Sequence, residues 1–296
     1  MNLINTNQLS SNQYHEVKRL IALCKEFDRT SGISFLDANM NALPEFPCFF
    51  LCYERNILVG VLTTFLPSST ECEVYAYTHP DYRHRGIFQK IWKLTKQRLH
   101  NYGIHDICFV MDPKCQSGIR ILVTMGAYLH NSEYMLEFSG SPEPHPRKAL
   151  ILTSFRKGTT TYYSAFLPNT SDALNVLNTT NTSNISDMDE ESHKQCTQKD
   201  TQSNMQNNVY KNEGILVGTC CVDNSYGSSS IYNFEILENY RGKKWGTEFL
   251  LLLLKDLTES GNSKILLHVS SSNKAAYHLY LHHGFTMHTQ IDYWKL

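Results

Sequence analysis

Short apolar runs separated by turn residues predict alternating strands and helices in the first half of the chain. NILVGVLTTF (from Asn56) and ECEVYAYTHP (from Glu71) are rich in β-branched and aromatic residues, which is typical of strands. IFQKIWKLTKQRL (from Ile87) has apolar residues at helical spacing and predicts an amphipathic helix. HDICFVMD (from His105) predicts a short buried strand, and SGIRILVTM predicts a helix that ends at Gly126. Strand, loop, helix and strand in this order form a βαβ unit.

The same pattern returns in the second half of the chain. ILVG occurs at Ile57 and again at Ile215, which stands 158 positions later. The same spacing relates three further pairs of landmarks: Arg83 and Arg241, Gly103 and Gly261, Gly126 and Gly284. One period of this length indicates a domain copied once rather than a solenoid. We therefore predict two similar α/β domains in tandem, at 1–138 and 159–296, joined by a connector at 139–158.

Three segments add detail to this plan. AYLHNSEYMLEF, at 127–138, predicts a hairpin, and QYHEVKRLIALCKEF, from Gln13, predicts a helix. The stretch from Asn169 to Asn212 is rich in Asn, Ser, Thr and Gln and has one aromatic residue. Such a composition cannot offset its ordering entropy, so we predict a mobile insert at about 177–212. In the frame of the repeat it aligns with residues 11–54, which suggests that the second copy has lost its helices there.

The composition is that of a globular protein, with 41% hydrophobic and 19% charged residues. A net charge of −1 creates no global field that favours nucleic acid or an acidic membrane. The N-terminal residues lack the pattern of a secretory signal, and the longest apolar run, FLLLLLK, is too short to span a bilayer. Nine cysteines without metal-knuckle spacing predict reduced thiols, no metal and a cytoplasmic location.

The loops YRHRGIF and YRGKKWG carry the most informative chemistry. Each places an Arg, further basic residues and a Gly between a predicted strand and the start of a helix. The free N–H groups and positive dipole of a helix start, with a Gly that lets the backbone approach, suit a pyrophosphate. The alternative is a basic helix start with solvated charges. Neither a P-loop nor a dinucleotide-binding glycine pattern fits these loops.

These loops resemble the Arg/Gln-x-x-Gly-x-Gly/Ala segment of the GCN5-related N-acetyltransferases (GNAT). NKAAYHLYLHHGF is similar to a second and more specific segment of that family, Asn-x-x-Ala-x-x-Leu-Tyr-x-x-x-Gly-Phe. Its matching residues are Asn273, Ala276, Leu279, Tyr280, Gly284 and Phe285. The resemblance covers about 48–138 and 206–296 well.

The resemblance implies two GNAT-like domains of the α/β class, each a splayed mixed sheet flanked by helices. Acetyl-CoA would lie between the fourth and fifth strands, with its pyrophosphate on the loop and its thioester carbonyl near a backbone N–H of Thr78 or Ile236. The implied coenzyme-binding residues are Thr78, Arg83, His84, Arg85, Gly86, Ile87 and Phe88 in the first copy, and Ile236, Arg241, Gly242, Lys243, Lys244, Trp245, Gly246, Thr247 and Asn273 in the second.

Two residues of the second copy are candidates for catalysis. The resemblance assigns Tyr280 as the acid that protonates the CoA thiolate; the alternative is a half-buried aromatic residue. Asn273 can be a helix N-cap, a coenzyme ligand or both. Alternation along NFEIL places Glu235 on the face opposite Phe234, so Glu235 is either the general base or an exposed strand carboxylate.

The copies depart from the family pattern in different ways. In the first, Phe88 replaces a small residue, Cys115 replaces the Asn, and Leu122 replaces the Tyr. In the second, Lys244 replaces the first Gly, which is tolerable if that position does not need φ > 0. We favour catalysis in the second copy; if it lies in the first, Tyr75 and Tyr77 are the next candidates.

The sequence thus predicts an N-acetyltransferase that uses acetyl-CoA and the primary amine of a small molecule or peptide. The alternative is a non-catalytic acyl-CoA-binding module with a regulatory or assembly role. We expect a monomer or homodimer without nucleic-acid or membrane partners.

Overall fold

A computed structural model describes residues 1–32, 34–140, 149–168, 214–225, 227–261 and 264–296. The predicted insert at 177–212 lies outside these residues. The chain divides into two compact units along a discontinuous path: unit 1 is Met1–Met135, Val269–Tyr277 and Met287–Leu296, and unit 2 is Leu136–His268 and His278–Thr286. The domain boundaries and connector expected from the sequence remain a prediction.

The described residues form twelve strands and five α-helices. The strands are β1 (Asn2–Thr6), β2 (Phe49–Glu54), β3 (Ile57–Phe65), β4 (Glu71–Thr78), β5 (Asp106–Met111), β6 (Tyr128–Phe138), β7 (Ile151–Lys157), β8 (Thr160–Leu167), β9 (Ile215–Asp223), β10 (Ser229–Ile236), β11 (Ile265–Ser270) and β12 (Phe285–Lys295). The helices are α1 (Ser11–Asp28), α2 (Ile87–Asn101), α3 (Gln116–Thr124), α4 (Trp245–Glu259) and α5 (Lys274–His282).

Unit 1 is built on a mixed sheet that has a helix on each face. Its strands follow the order β1-β2-β3-β4-β5-β12, with antiparallel pairing except between β4 and β5, which are parallel. Buried side chains of α1 pack against Leu51, Leu58 and Val61. Buried side chains of α2 belong to a second cluster with Val59 and Leu62. The ends of β4 and β5 therefore lie between α1 on one face and α2 on the other.

Unit 2 contains the antiparallel series β7-β8-β9-β10, followed by β11 parallel to β10. Its helix α4 buries one face in which Phe249, Leu250, Leu253 and Leu254 are fully covered. The mixed α/β class that the sequence predicts is confirmed for both units.

The repeat is confirmed at the level of whole elements. β3 and β9, β4 and β10, α2 and α4, and α3 and α5 begin and end 158 positions apart. The glycine of each ILVG has a packing reason. A Cβ on Gly60 would lie 2.6 Å from Ile87 Cγ2, and a Cβ on Gly218 would lie 2.5 Å from the backbone oxygen of Glu235. Each glycine therefore permits a close approach that a side chain would block.

One sequence-based expectation is wrong. The segment Tyr128–Phe138 is one continuous strand and not a hairpin, because it contains no Gly-based two-residue turn. The polar segment, which the offset of 158 aligns with residues 11–54, follows the counterparts of β1 and β2 in the second copy. Strands β7 and β8 precede it, and β8 pairs with β9 as β2 pairs with β3. Only Gly158 and Thr159 join β7 to β8, so the second copy has a hairpin where the first has α1.

Candidate active site

The parallel strands of each copy separate, as the sequence predicts. β4 pairs with β5 from Glu71 to Val74, and its later residues have no β5 partner. β10 pairs with β11 only from Ser229 to Ile231. In unit 1 the separation opens into a cavity of about 980 Å³, whose lining includes Tyr77, Thr78 and Met111.

The loop that leads into α2 has the backbone shape of an anion site. His84 and Gly86 have φ of +62° and +74°, and Arg85 between them does not have positive φ. This alternation turns successive N–H groups towards one side. The helix start at Gly86 has no side-chain cap, so the first amides of α2 are free to bind an anion.

The second loop repeats this shape with the glycine at the other position. Gly242 has φ of +73° and Lys244 has φ of +66°. These residues correspond to His84 and Gly86. On the sequence alone, Lys244 is expected to be tolerated only if its φ is negative. Its φ is positive, so this condition is not met. Lys244 occupies a left-handed conformation that costs a residue with a Cβ about 1 kcal/mol.

The arginine of each loop folds back onto its own strand. Arg83 Nε donates to Thr78 O at 3.1 Å, and Arg241 Nε donates to Ile236 O at 2.8 Å. Arg83 also donates from both terminal nitrogens to Asp28 of α1, at 2.8 and 2.7 Å. These guanidinium groups therefore hold the loops against their strands, and the first amides of α2 are left without a side-chain cap.

Cations surround the mouth of the unit 1 cavity. Exposed side chains of Lys93, Lys96 and Arg120 line it, and aromatic rings of Phe88, Trp92 and Phe109 form its apolar wall. Trp92 and Phe109 meet edge to face with their ring centres 4.9 Å apart. At the positions of Lys93, Lys96 and Arg120 the second copy has Leu251, Leu254 and His278, so the same set of cations is not repeated there.

The face of the cavity that α1 covers holds a different set of groups. Cys24 Sγ donates to Thr78 O at 3.3 Å, and burial raises the pKa of this thiol to about 11. Burial likewise raises the pKa of Tyr77 to about 12. Asp112 accepts hydrogen bonds from the backbone N–H groups of Ser31 and Lys114, both at 2.9 Å. These groups place a protonated phenol and a carboxylate beside the end of β4.

Tyr280 of the second copy is a buried phenol. It is 5% exposed, and its ring centre lies 6.2 Å from that of Phe234 and 5.6 Å from that of Phe285. Burial, with a smaller contribution from Cys220, raises its pKa to about 12. It is therefore protonated at neutral pH, as an acid must be.

The other second-copy candidates have structural partners. Glu235 lies on an exposed face, 3.1 Å from Arg241 Nη2, while Phe234 and Ile236 point towards α4. A β-bulge between Tyr232 and Glu235 interrupts the pairing of β10 with β9. Asn273 caps α5, since its side-chain oxygen accepts from Ala276 N at 3.1 Å. The catalytic and binding roles of these residues stay predictions.

The structure groups the predicted residues unevenly. Six of the seven first-copy residues line the cavity: Thr78, Arg83, His84, Gly86, Ile87 and Phe88. Arg85 instead donates to Asp81 O and lies over the ring of Tyr82. In the second copy, Gly246 lies beside Ile236 and Leu279, and Trp245 is buried. Lys243 and Thr247 are half-buried in the same loop and helix start.

Sequence reasoning missed the groups that α1, α2, α3 and the loop after β5 contribute to the cavity. They are Cys24, Lys25, Asp28, Lys93, Lys96, Asp112 and Arg120. The spacing of Lys93 and Lys96, which places both on one helical face beside the loop, is a signal that was available.

Among the described residues, no cluster of three or more His, Cys, Asp or Glu side chains is placed to hold a metal ion. No helix in the described ranges is long and apolar enough to cross a membrane.

Comparison with known proteins finds one family model and several solved structures that are similar to this chain. The model of the Acetyltransferase (GNAT) family matches residues 172–285. A search of curated proteins gives no match. A GCN5-related N-acetyltransferase from Sphaerobacter thermophilus has a similar structure, with a TM-score of 0.67 and 15% identity over 99% of this chain and 95% of that one.

Two further structures extend the likeness over the whole chain. A tandem GNAT protein from the clavulanic acid biosynthesis pathway gives a TM-score of 0.59 at 13% identity, over 100% of this chain and 98% of that one. A GNAT-family acetyltransferase from Colwellia psychrerythraea gives 0.51 at 13% identity, over 100% of both chains. At such identities the structures show the fold. They show that the chain has the fold of a tandem GNAT protein, and the family model matches residues 172–285, which is less than half of the chain.

Proposed function

We propose that this protein is an N-acetyltransferase that binds acetyl-CoA in the cavity of unit 1 and acetylates the primary amine of a small molecule or peptide. The observation that carries the proposal is the combination of a cavity of about 980 Å³ with uncapped helix amides and a cationic mouth. The amides at the start of α2 suit the pyrophosphate of CoA. Lys93, Lys96 and Arg120 suit its remaining phosphate.

Direct transfer requires few groups from the protein. The neutral amine nitrogen attacks the thioester carbonyl carbon, a C–N bond forms, the C–S bond breaks, and the proton that the nitrogen loses passes to water. Tyr77, whose pKa of about 12 keeps it protonated, supplies a proton to the leaving thiolate. Its place in the cavity, one residue before Thr78, favours it as the acid of the first copy.

The second copy supports a second candidate site. Tyr280 as the acid and Glu235 as the base remain candidates there, because Tyr280 is buried and protonated. The exposed ion pair of Glu235 with Arg241 must open before Glu235 can accept a proton. The left-handed Lys244 and the hairpin in place of α1 favour the alternative, in which this copy binds acyl-CoA without catalysing transfer.

Calorimetry with acetyl-CoA tests the donor site. We expect micromolar affinity and a loss of at least tenfold in the double variant Lys93→Ala/Lys96→Ala. Lys157→Ala, which removes an exposed lysine of β7, is the matched control and should bind like the wild type. Equal affinity in the double variant and the control would refute the cavity as the donor site.

A panel of primary amines, followed by release of free CoA thiol, tests the transfer itself. Turnover with at least one amine is expected. Binding of acetyl-CoA without turnover on the whole panel would favour the non-catalytic alternative. A cytoplasmic location and a monomeric or homodimeric state without nucleic-acid or membrane partners belong to the same proposal.

A further inference from the structure

Lys25 is a cation of the cavity whose charge is not balanced by a neighbouring carboxylate. It lies on α1, lines the cavity and is half-buried. Burial lowers its pKa, and Asp112 opposes this effect from a distance. Its ammonium donates to Ser34 Oγ at 3.3 Å, and no carboxylate oxygen of a described residue lies within 4.0 Å of it.

The carboxylates in the cavity are engaged elsewhere. Both oxygens of Asp28 accept from Arg83, at 2.8 and 2.7 Å. Asp112 accepts from two backbone N–H groups, one to each oxygen. A partly desolvated charge is costly without a partner, and a neutral hydroxyl compensates it poorly. The arrangement leaves room for an anionic group of a ligand at Lys25.

The position of Lys25 separates it from the expected phosphates of the donor. The uncapped amides, Lys93 and Lys96 belong to α2, which packs on one face of the sheet. Lys25 belongs to α1, which packs on the other face. Its neighbour Cys24 touches the backbone oxygen of Thr78, where β4 ends. Lys25 thus faces the end of β4 from the side opposite α2, the side left for the acceptor.

We propose that Lys25 binds a carboxylate of the acceptor, so that the preferred substrates are amines that also carry a carboxylate, as amino acids do. This inference rests on the proposed function of the unit 1 cavity. Lys25 contributes a charge-assisted hydrogen bond that orients the acceptor, and Ser34 holds the ammonium in place before the substrate arrives. An amine without a carboxylate would leave the ammonium without its anionic partner.

Matched amine pairs that differ only in the carboxylate test the proposal: leucine with isoamylamine, and phenylalanine with phenethylamine. We expect the wild type to favour the carboxylated partner at least tenfold in kcat/KM, through KM. Lys25→Met, which keeps the stem and removes the charge, should abolish the preference, and Lys25→Arg should retain part of it. Lys18→Met removes an exposed lysine of the same helix and should leave the preference unchanged.

A second measurement separates this inference from the proposed function. Calorimetry of N-acetyl-leucine against N-isoamylacetamide, in the presence of CoA, reports the carboxylate preference without turnover. Acetyl-CoA affinity should be the same in the wild type and Lys25→Met. Equal binding of the two acetylated compounds, or of Lys25→Met and the wild type to N-acetyl-leucine, would overturn the proposal. A loss of acetyl-CoA affinity in Lys25→Met would also overturn it and would assign Lys25 to the donor.

Discussion

Arg83 and Asp28 form a two-pronged ion pair, at 2.8 and 2.7 Å, that joins the loop before α2 to the C-terminal end of α1. Both side chains are largely buried, with 19% and 15% of their surface exposed. The hydrogen bonds that Arg83 donates to Asp28 raise the pKa of Arg83, which stays charged. The pair therefore couples the two sides of the cavity, and its partner residues are 55 positions apart in the chain.

We expect Arg83→Ala to lower the stability of unit 1 by about 2 kcal/mol, because it removes charge-assisted hydrogen bonds and leaves Asp28 buried without its partner. The second copy provides the control. Arg241 and Glu235 are 58% and 46% exposed, so Arg241→Ala should cost about 0.5 kcal/mol. Urea unfolding of both variants measures the difference. Equal losses of stability in the two variants would show that burial of the Arg83–Asp28 pair adds nothing to the stability of unit 1.

The two ILVG glycines give a second matched comparison. Gly218→Ala should destabilise by about 2 kcal/mol or more, since the new Cβ would lie 2.5 Å from the Glu235 backbone oxygen at the β-bulge. Gly60→Ala meets the side-chain methyl groups of Ile87 and Ile91, which can shift, so we expect a loss of about 1 kcal/mol. Thermal unfolding of the two variants measures which of them loses more stability. A larger loss for Gly60→Ala would contradict the steric explanation.

The left-handed loop positions predict opposite effects of glycine in the two copies. Gly86→Ala should cost about 1 kcal/mol from its φ of +74° alone, because no atom lies within 4 Å of the added Cβ. Lys244→Gly should gain up to about 1 kcal/mol by relieving a residue at φ +66°. Lys243→Gly is the control and should be destabilising, since Lys243 does not have positive φ. A stability loss in Lys244→Gly would show that its side chain outweighs the strain.

Two phenols distinguish the copies as catalysts. Tyr77→Phe should lower kcat about 100-fold if the unit 1 cavity performs transfer, because one positioned acid is lost while the ring remains. Tyr280→Phe should then change kcat less than about threefold. Steady-state kinetics with acetyl-CoA and an accepted amine measures both, and calorimetry confirms that acetyl-CoA affinity is preserved. The reverse order would assign the acid to Tyr280 and the chemistry to the second copy.

The raised pKa of Tyr77 also predicts an alkaline effect on stability. The phenol loses its proton near pH 10 in the unfolded chain and near 12 in the folded one. Its contribution to stability is therefore complete below pH 10 and is lost as the pH rises from 10 to about 12. Tyr77→Phe should show a shallower loss of stability over this range in urea unfolding at fixed pH. Parallel curves for variant and wild type would exclude the predicted shift.

The sequence by itself determined the repeat and the order of its elements, and it predicted the chemistry of the two loops. These features depend on local patterns: apolar periodicity, glycine and arginine positions, and a constant spacing of 158 residues. This is why β3, β4, α2 and α3 and their counterparts coincide with the predicted segments. The resemblance to the GNAT family indicated Tyr280 and strand alternation indicated Glu235 as candidate residues, but neither indicated what they contact.

The tertiary structure alone decided which residues surround the cavity and how the last strand pairs. β12 lies antiparallel to β5, with Asp292 opposite Met111, and α1 brings Cys24, Lys25 and Asp28 to the end of β4. These contacts join segments that are tens to hundreds of positions apart, and the local pattern of either segment is the same whether or not they meet. Their selection depends on the burial of complete sheet faces and on the pairing of separated charges, which a local pattern does not encode.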